Sequence, residues 1–146
     1  MPVSVGVANA LVATPAVTAV LALDATGWAA KYALYFTRAQ KQAPRPYLVM
    51  HEVDTPPLVH SMDGPSSQSD GEFQFDSYAD DQATARKLSK AVRDALKNFS
   101  SGLSDGTTIQ FYEVAFDSDD GYELGGKDYV YRRVLRLRAF YTEPGE

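Results

Sequence analysis

The fold is decided by residues 72–99, which read EFQFDSYADDQATARKLSKAVRDALKNF. The first part alternates apolar and polar side chains from Phe73 to Tyr78, and this period of two predicts a half-buried strand. Asp80 and Asp81 follow, and either carboxylate can cap a helix by accepting backbone N–H bonds. A helix over residues 80–99 would carry one apolar stripe at three- and four-residue steps: Ala85, Leu88, Val92, Ala95, Leu96 and Phe99. We therefore expect a strand and then one amphipathic helix that packs on a sheet.

The composition is typical of a globular protein, with 45% apolar and 23% charged residues among 146. We expect one domain over residues 1–146, because this length suffices for a single buried core. The chain has no cysteine, which excludes disulfides and thiolate chemistry. Its only histidines are His51 and His60, and neither has a partner at ligand spacing. We expect no metal site and no cofactor.

The first 23 residues hold no charged side chain, yet they match neither a signal peptide nor a membrane span. A secretory signal starts with positive charge, and the first lysine is Lys31. A span needs about 20 strongly apolar residues, whereas polar residues and a proline interrupt this run. We predict a helical segment over residues 1–24 with two short helices, Val5–Val12 and Pro15–Leu23, and Thr14 as cap of the second. It should pack on the sheet or on a neighbouring subunit, with no membrane contact.

The core, residues 31–142, contains further strands and two distinctive connections. Alternation predicts four strands besides the one already described: Lys31–Arg38, Tyr47–Val53, Thr108–Phe116 and Tyr129–Thr142. The connection 54–71 is rich in proline, glycine and serine, and a loop of this length is usually functional or disordered. The connection 117–128 is acidic and contains glycine, which favours a hairpin turn. Strands in runs, with helices kept apart, indicate an α+β fold: one antiparallel sheet, the main helix and the N-terminal helices on it, and a long C-terminal hairpin.

The formal net charge is −5, and the charges are grouped along the chain. Residues 46–85 contain eight acidic residues and no lysine or arginine, and residues 98–126 contain six and again none. One interpretation is that acidic residues collect in turns while helices and strands carry the basic ones. The other is a subunit with one acidic and one basic flank, suited to head-to-tail packing in a ring.

Two short motifs resemble catalytic or metal-binding signatures. Residues 102–106 match G-x-S-x-G around Ser104, but they follow a predicted helix and precede a strand, the reverse of a hydrolase elbow. A helix C-cap and loop explain these glycines better. Residues 117–121 resemble the start of a calcium loop, yet Gly121 is the fifth residue and not the sixth. We interpret this stretch as an Asp-Gly hairpin turn.

The final predicted strand is unusual in carrying four arginines. Alternation places three of them on one face: Arg132, Arg136 and Arg138. Arg133 lies on the opposite face. Arginines on an apolar-edged face need solvent or a carboxylate partner, so the face is either a solvated surface, an interface with acidic loops of another subunit, or a nucleic-acid surface. The net negative charge and the lack of a base-reading motif weaken the last alternative.

The order of these elements is similar to a known family. A strand at Tyr32–Phe36 leads to a proline-bounded linker and the sequence APRPYLV at residues 43–49. A polar loop, the strand Phe73–Tyr78, the capped helix with AVRDAL at residues 91–96 and an aromatic hairpin follow. Over residues 31–142 this arrangement resembles the tail terminator family of long-tailed bacteriophages and gene transfer agents, whose members are also called tail-completion or head–tail joining proteins.

The resemblance implies an α+β subunit that assembles into a hexameric ring. Such a ring caps the tail tube at its head-proximal end, stops tube polymerisation and docks the neck (stopper) proteins. DNA would pass through its lumen without sequence recognition. The resemblance also implies location in the virion, at the tail neck, after assembly in the host cytoplasm, and it brings no catalytic residues. Whether the particle is a phage or a phage-derived particle stays open.

The candidate contact residues lie on the two connections and on the last strand: His60, Met62, Asp117, Asp119, Asp120, Arg132, Arg136 and Arg138. Two other functions remain open on the sequence. A stopper or adaptor, another neck component, would share the size and location. A small hydrolase using Ser104 would need an activity that Ser104→Ala abolishes.

Overall fold

The computed structural model describes residues 3–37, 39, 43–53, 60–61, 64–65, 68–97, 108–124 and 128–142. Three helices lie within these residues: α1 Val3–Val12, α2 Pro15–Thr18 and α3 Gln82–Lys97. The strands are β1 Leu23–Trp28, β2 Leu34–Phe36, β3 Tyr47–Val53, β4 His60–Ser61, β5 Gly64–Pro65, β6 Gln68–Ala79, β7 Thr108–Leu124 and β8 Asp128–Thr142.

Five strands form the main sheet, in the spatial order β2-β3-β6-β8-β7. The last four of them are antiparallel to their neighbours, which confirms the predicted α+β class. The edge pair differs from the prediction of a wholly antiparallel sheet, because β2 runs parallel to β3. Residues 37–46 separate these two strands along the chain, since a parallel pair cannot be joined by a tight hairpin.

Helix α3 forms as its sequence predicts. Asp81 caps its first turn, accepting hydrogen bonds from the backbone N–H of Thr84 at 3.2 Å and from the Thr84 hydroxyl at 2.6 Å. The predicted stripe faces the sheet: Ala85, Leu88, Val92 and Leu96 are buried. The predicted end near Phe99 and the stop at Gly102 lie outside the described residues.

The larger core lies between the sheet and the helices. Fully buried side chains from both layers meet there: Val7, Leu11, Leu48, Met50, Phe73, Phe75, Leu88, Val92, Leu96 and Leu135. Each such side chain contributes about 1.5–3 kcal/mol on burial. The N-terminal helices therefore pack with α3 on the sheet, as expected.

Among the described residues, those that cover the other side of the sheet lie at one end of it. A second cluster is buried there: Ala33, Tyr35, Tyr47, Val49, Tyr78 and Val130. Ala22, Ala39 and Ala43 pack against it, and the rings of Tyr47 and Tyr78 stack at 4.7 Å. Beyond this cluster the same side of the sheet carries polar and charged side chains, which form the candidate site.

The N-terminal segment departs from the prediction after Thr18. The second helix does not extend to Leu23, because strand β1 begins there and bridges to Tyr32. Ala29 and Ala30 make the tight turn with φ of 56° and 52°, and the backbone of Gly27 approaches the Tyr32 carbonyl so closely that a Cβ would collide with it. The strand predicted over Lys31–Arg38 is consequently reduced to the three residues of β2.

The long loop predicted over residues 54–71 is shorter than expected. Strand β6 begins at Gln68 because it pairs with β8 as far as Thr142. Within the loop, β4 and β5 form a small antiparallel pair. Residues 54–59, 62–63 and 66–67 lie outside the described part of the chain.

The C-terminal hairpin is longer than predicted, and the connection assigned to residues 117–128 is wrong. Strand β7 continues to Leu124 and pairs with β8 as far as Asp128, so Asp120 and Gly121 lie within a strand and not in a turn. The partner strand supplies hydrogen bonds all along this stretch, which outweighs the low strand propensity of Asp and Gly. Two register shifts, between Phe111 and Glu113 and between Val114 and Phe116, mark bulges in β7.

Candidate functional site

A cluster of ion pairs joins α3 to the hairpin on the helix side of the sheet. We call it the helix-side ion cluster: Arg86, Arg93, Asp117, Asp119 and Arg133. The Asp117 carboxylate lies 2.7 Å from Nε of Arg133 and 3.1 Å from Nη1 of Arg93. The Asp119 carboxylate lies 2.9 Å from Nη1 of Arg133 and 2.9 Å from Nε of Arg86. Each carboxylate is thus shared by a strand arginine and a helix arginine.

The electrostatics of this cluster follow from its geometry. The hydrogen bond from Arg86, followed by that from Arg133, lowers the pKa of the Asp119 carboxyl to about 2 despite the opposing effect of burial. The same hydrogen bond raises the pKa of the Arg86 guanidinium. Because the partners of these side chains lie in the same chain, the cluster holds the hairpin on the helix.

The opposite side of the sheet carries a different arrangement, which we call the open face: Glu72, Gln74, Phe116, Arg136 and Arg138. Register pairs place Phe116, Arg136, Gln74 and His51 in one row across four strands. In this row Nε of Arg136 donates to Oε1 of Gln74 at 2.8 Å. The guanidinium of Arg136 also lies 5.7 Å from the centre of the Phe116 ring.

The row continues into a buried carboxylate. Nε2 of Gln74 donates to Asp76 at 3.0 Å, and Nε2 of His51 lies 3.3 Å from the same carboxylate. Asp76 is only 2% exposed. A buried carboxylate needs such partners. Asp76 therefore holds the side-chain amide of Gln74 in place, whereas Arg136 is exposed.

A second row on the open face is looser. Register pairs place Glu113, Arg138 and Glu72 side by side. Arg138 lies 3.6 Å from the Glu113 carboxylate through Nη1 and 3.8 Å from that of Glu72 through Nε. These are exposed, long ion pairs of the kind that contribute little to stability.

Two shallow cavities adjoin these features. One, of about 310 Å³, lies on the open face between Gln74, Phe116 and Arg136. The other, of about 280 Å³, lies beside the C-terminal half of α3, with Phe111 and Val114 on one side and Arg93 on the other. Phe116 and Val114 are 47% and 45% exposed, so the edge strand β7 presents apolar groups at both cavities.

Neither metal ligation nor membrane insertion has support in the described part of the chain. No group of three or more His, Cys, Asp or Glu side chains there could hold a metal ion. No helix among the same residues is long and apolar enough to cross a membrane.

The sequence-predicted contact residues fall into three groups. Arg132, Arg136 and Arg138 lie on β8, the last two exposed on the open face as alternation predicts. Asp117 and Asp119 belong to the helix-side ion cluster. The remaining positions offer no described side chain: Asp120 and His60 lie in β7 and β4, Met62 is outside the described residues, and so is Ser104. Their assignment as contact residues stays a prediction.

Sequence reasoning missed the partners that define both sites. It did not connect Arg86 and Arg93 with the acidic residues of β7, because it treated residues 117–128 as a connection. It also missed Glu113 and Phe116, whose odd and even numbers suggest opposite faces. The bulge between Val114 and Phe116 allows both to lie opposite arginines of the open face.

A comparison with known families decides the identity of the chain. The family model described as tail completion protein gp17 matches residues 5–142. The chain belongs to this family. The gp17 family member described here is therefore a structural protein of a phage-type tail and a component of the virion, where it contacts other tail or virion proteins.

Solved structures add information on the fold of this tail completion protein. It is similar to a chain in the virion of a native gene transfer agent particle, with a TM-score of 0.58, 20% identity, and coverage of 93% of this chain and 91% of that one. At this identity the likeness shows the fold alone. A second solved chain aligns at 15% identity and a TM-score of 0.49, over 77% of this chain and 81% of that one. No curated protein matches the tail completion protein.

Proposed function

We propose that this tail completion protein is a tail terminator: a ring, of six copies, that caps the head-proximal end of the tail tube. Its mechanism is geometric. One side of the ring is complementary to the last ring of tube subunits. The other side does not bind further tube subunits and docks the neck proteins. DNA passes through the lumen without sequence recognition. Neither the capping of the tube nor the docking of the neck proteins needs catalysis.

The open face is the observation that carries this proposal. A sheet side with exposed Arg136, loosely paired Arg138 and a half-exposed Phe116 has the mixture of apolar and arginine side chains that protein interfaces favour. A cyclic ring needs two different surfaces on each subunit. The open face supplies one such surface.

Within this proposal the three arginines of β8 are contact residues, and the acidic residues of β7 have another role. Arg132, Arg136 and Arg138 face the neighbouring subunit or the tube. Asp117 and Asp119 are already bound by arginines of their own chain, and we assign them to holding the hairpin in the shape that the ring needs.

Charge reversal at Arg136 tests the proposal. We expect Arg136→Glu to leave the subunit folded but to impair ring assembly, so that tails in electron micrographs are uncapped and longer than normal. Lys87→Glu makes the same charge change on the exposed side of α3 and serves as the matched control, with normal tails expected. Normal capping by Arg136→Glu would contradict the assignment.

Tail length also separates a terminator from other neck components. Loss of a terminator releases tube polymerisation, whereas loss of a stopper or adaptor leaves tails of normal length that do not join heads. Binding of the purified protein to the tail-tube protein, and not to the portal complex, is the result we expect. Binding to the portal complex alone would assign the protein to the other side of the neck.

A further inference from the structure

Arg136 differs from Arg133 and Arg138 in the charge of its partner. Its polar contact within the described part of the chain is the neutral amide oxygen of Gln74, through Nε. Arg133 and Arg138, by contrast, each lie near two carboxylates. Because Nε is engaged, the two terminal nitrogens of Arg136 remain for an acceptor outside these residues.

The side chains of Gln74 and Asp76 orient the guanidinium of Arg136. Asp76 is acceptor-only when ionised, so it takes the NH₂ group of Gln74 and leaves the amide oxygen for Arg136. Asp76 is fixed in turn by burial and by His51. The guanidinium is therefore held in one orientation over the Phe116 ring, and a pre-organised fork loses less entropy on binding an anion.

We propose that Arg136 binds a carboxylate of a second copy of this chain across the subunit boundary, that Phe116 packs on the same copy, and that Gln74 and Asp76 position the guanidinium. This inference rests on the proposed ring. A guanidinium fork fits carboxylate and phosphate alike, so the surroundings must decide between a protein and a nucleic acid.

The surroundings favour a protein partner. Arg138 in the next row lies beside the carboxylates of Glu72 and Glu113, which would repel a phosphate backbone, whereas nucleic-acid affinity needs several unneutralised cations. The half-exposed ring of Phe116 offers apolar area that suits a protein surface. A second copy supplies the acid, since the chain carries 19 acidic against 14 basic residues.

A zero-length cross-link identifies the partner directly. Arg136→Lys keeps the charge and allows a carbodiimide to join the new amine to a carboxylate in contact, forming an amide with net loss of water. Equal amounts of ¹⁴N- and ¹⁵N-labelled protein are added to tails that lack it, coupled and digested. We expect the peptide that contains residue 136 to be joined to an acidic peptide of this same protein. About half of the joined pairs should combine one ¹⁴N-labelled and one ¹⁵N-labelled peptide.

Arg93→Lys, in the helix-side ion cluster, is the matched control, because the carboxylates beside it, Asp94 and Asp117, lie in its own chain; its cross-links should contain a single isotope. Coupling of residue 136 to another tail protein, coupling only within one copy, or none at all would overturn the inference. If residue 136 is protected from coupling and nuclease treatment removes that protection, residue 136 contacts DNA, and the inference is equally overturned. If several copies cap each tail in any of these cases, the proposed ring stands and this inference alone fails.

A measurement on the unsubstituted protein covers the case in which the lysine variant does not assemble. Phenylglyoxal modifies accessible arginines, and we expect it to react about tenfold more slowly with Arg136 in assembled tails than in free subunits. A second sample that carries Lys87→Arg and keeps Arg136 supplies a reference arginine on the exposed side of α3, whose rate should not change. Equal rates for Arg136 in both states would overturn the inference.

The positioning role of Gln74 has its own readout. Gln74→Glu gives Arg136 a carboxylate within its own chain, and we expect the concentration for half assembly to rise about tenfold and its dependence on salt to flatten. A merely structural role would lower the melting temperature and leave the salt dependence unchanged. That second outcome would remove Gln74 from the proposal.

Discussion

Arg133 and Arg136 lie three residues apart on β8, on opposite sides of the sheet, and they have opposite surroundings. Arg133 is bound to Asp117 and Asp119, which α3 also reaches through Arg86 and Arg93. Arg136 is exposed and contacts a neutral amide. The alternation along the strand decides on which side of the sheet an arginine lies. The residues opposite it on the neighbouring strands decide whether it is paired within its own chain or remains available to a partner.

The largest difference between the two sides should appear in adjacent apolar residues of β8. Leu135 is fully buried under the helices, whereas Val134 is 7% exposed on the other side. We expect Leu135→Ala to lower the free energy of unfolding by about 2–5 kcal/mol and Val134→Ala by about 1–2 kcal/mol, measured by urea denaturation. Equal losses would show that the two sides contribute alike to stability.

A smaller loss should follow from Arg133→Met, which leaves two half-buried carboxylates with fewer donors. We expect the free energy of unfolding to fall by about 1–3 kcal/mol, the cost of leaving such groups poorly satisfied. Arg133→Lys keeps the charge but not the fork that serves both carboxylates, so an intermediate value is expected. A neutral effect of Arg133→Met would mean that the cluster does not hold the hairpin.

The helix-side cluster should also show in acid. The pKa of Asp119 is lowered to about 2 in the fold, while an unfolded aspartate titrates near 3.9 (about the model-peptide value). The resulting stabilisation is fully present above about pH 4 and is lost as the pH falls towards 2. We expect the stability difference between the protein and Asp119→Asn to shrink over this range; a difference independent of pH would contradict the lowered pKa.

The smallest effect on stability should come from the open face. Arg136→Met removes one hydrogen bond at an exposed position, and we expect a change of less than about 0.5 kcal/mol in the free energy of unfolding. Assembly on tails should nevertheless be lost. A large loss of stability would place Arg136 with Arg133 as a residue that serves its own fold.

Much of this fold could be predicted because local signals agree with tertiary packing. The stripe of α3 and its cap at Asp81 needed only the periodicity and one acidic residue. Strand β1 escaped prediction because its turn uses two alanines with positive φ, where sequence rules expect glycine or asparagine. The outer part of β7 escaped because Asp and Gly predict turns, and only the pairing with β8 keeps them extended.

The site was predictable in part for the same reasons. Alternation alone placed Arg136 and Arg138 on one face. Their partners depend on the register with two other strands, β6 and β7, which no local pattern reveals. The two bulges of β7 add a further obstacle, since they shift Glu113 and Phe116 out of and back into phase.

The position of β8 between β6 and β7 has a consequence for biosynthesis. The strand that joins the two halves of the sheet is translated after both of its neighbours. Until it emerges from the ribosome, β7 has no neighbouring strand of the sheet to pair with and β6 has one long unsatisfied edge, the kind of edge that recruits other chains. Translation that stops before residue 128 therefore yields a fragment exposed to aggregation, and the complete chain alone enters the pool of subunits that can join a particle.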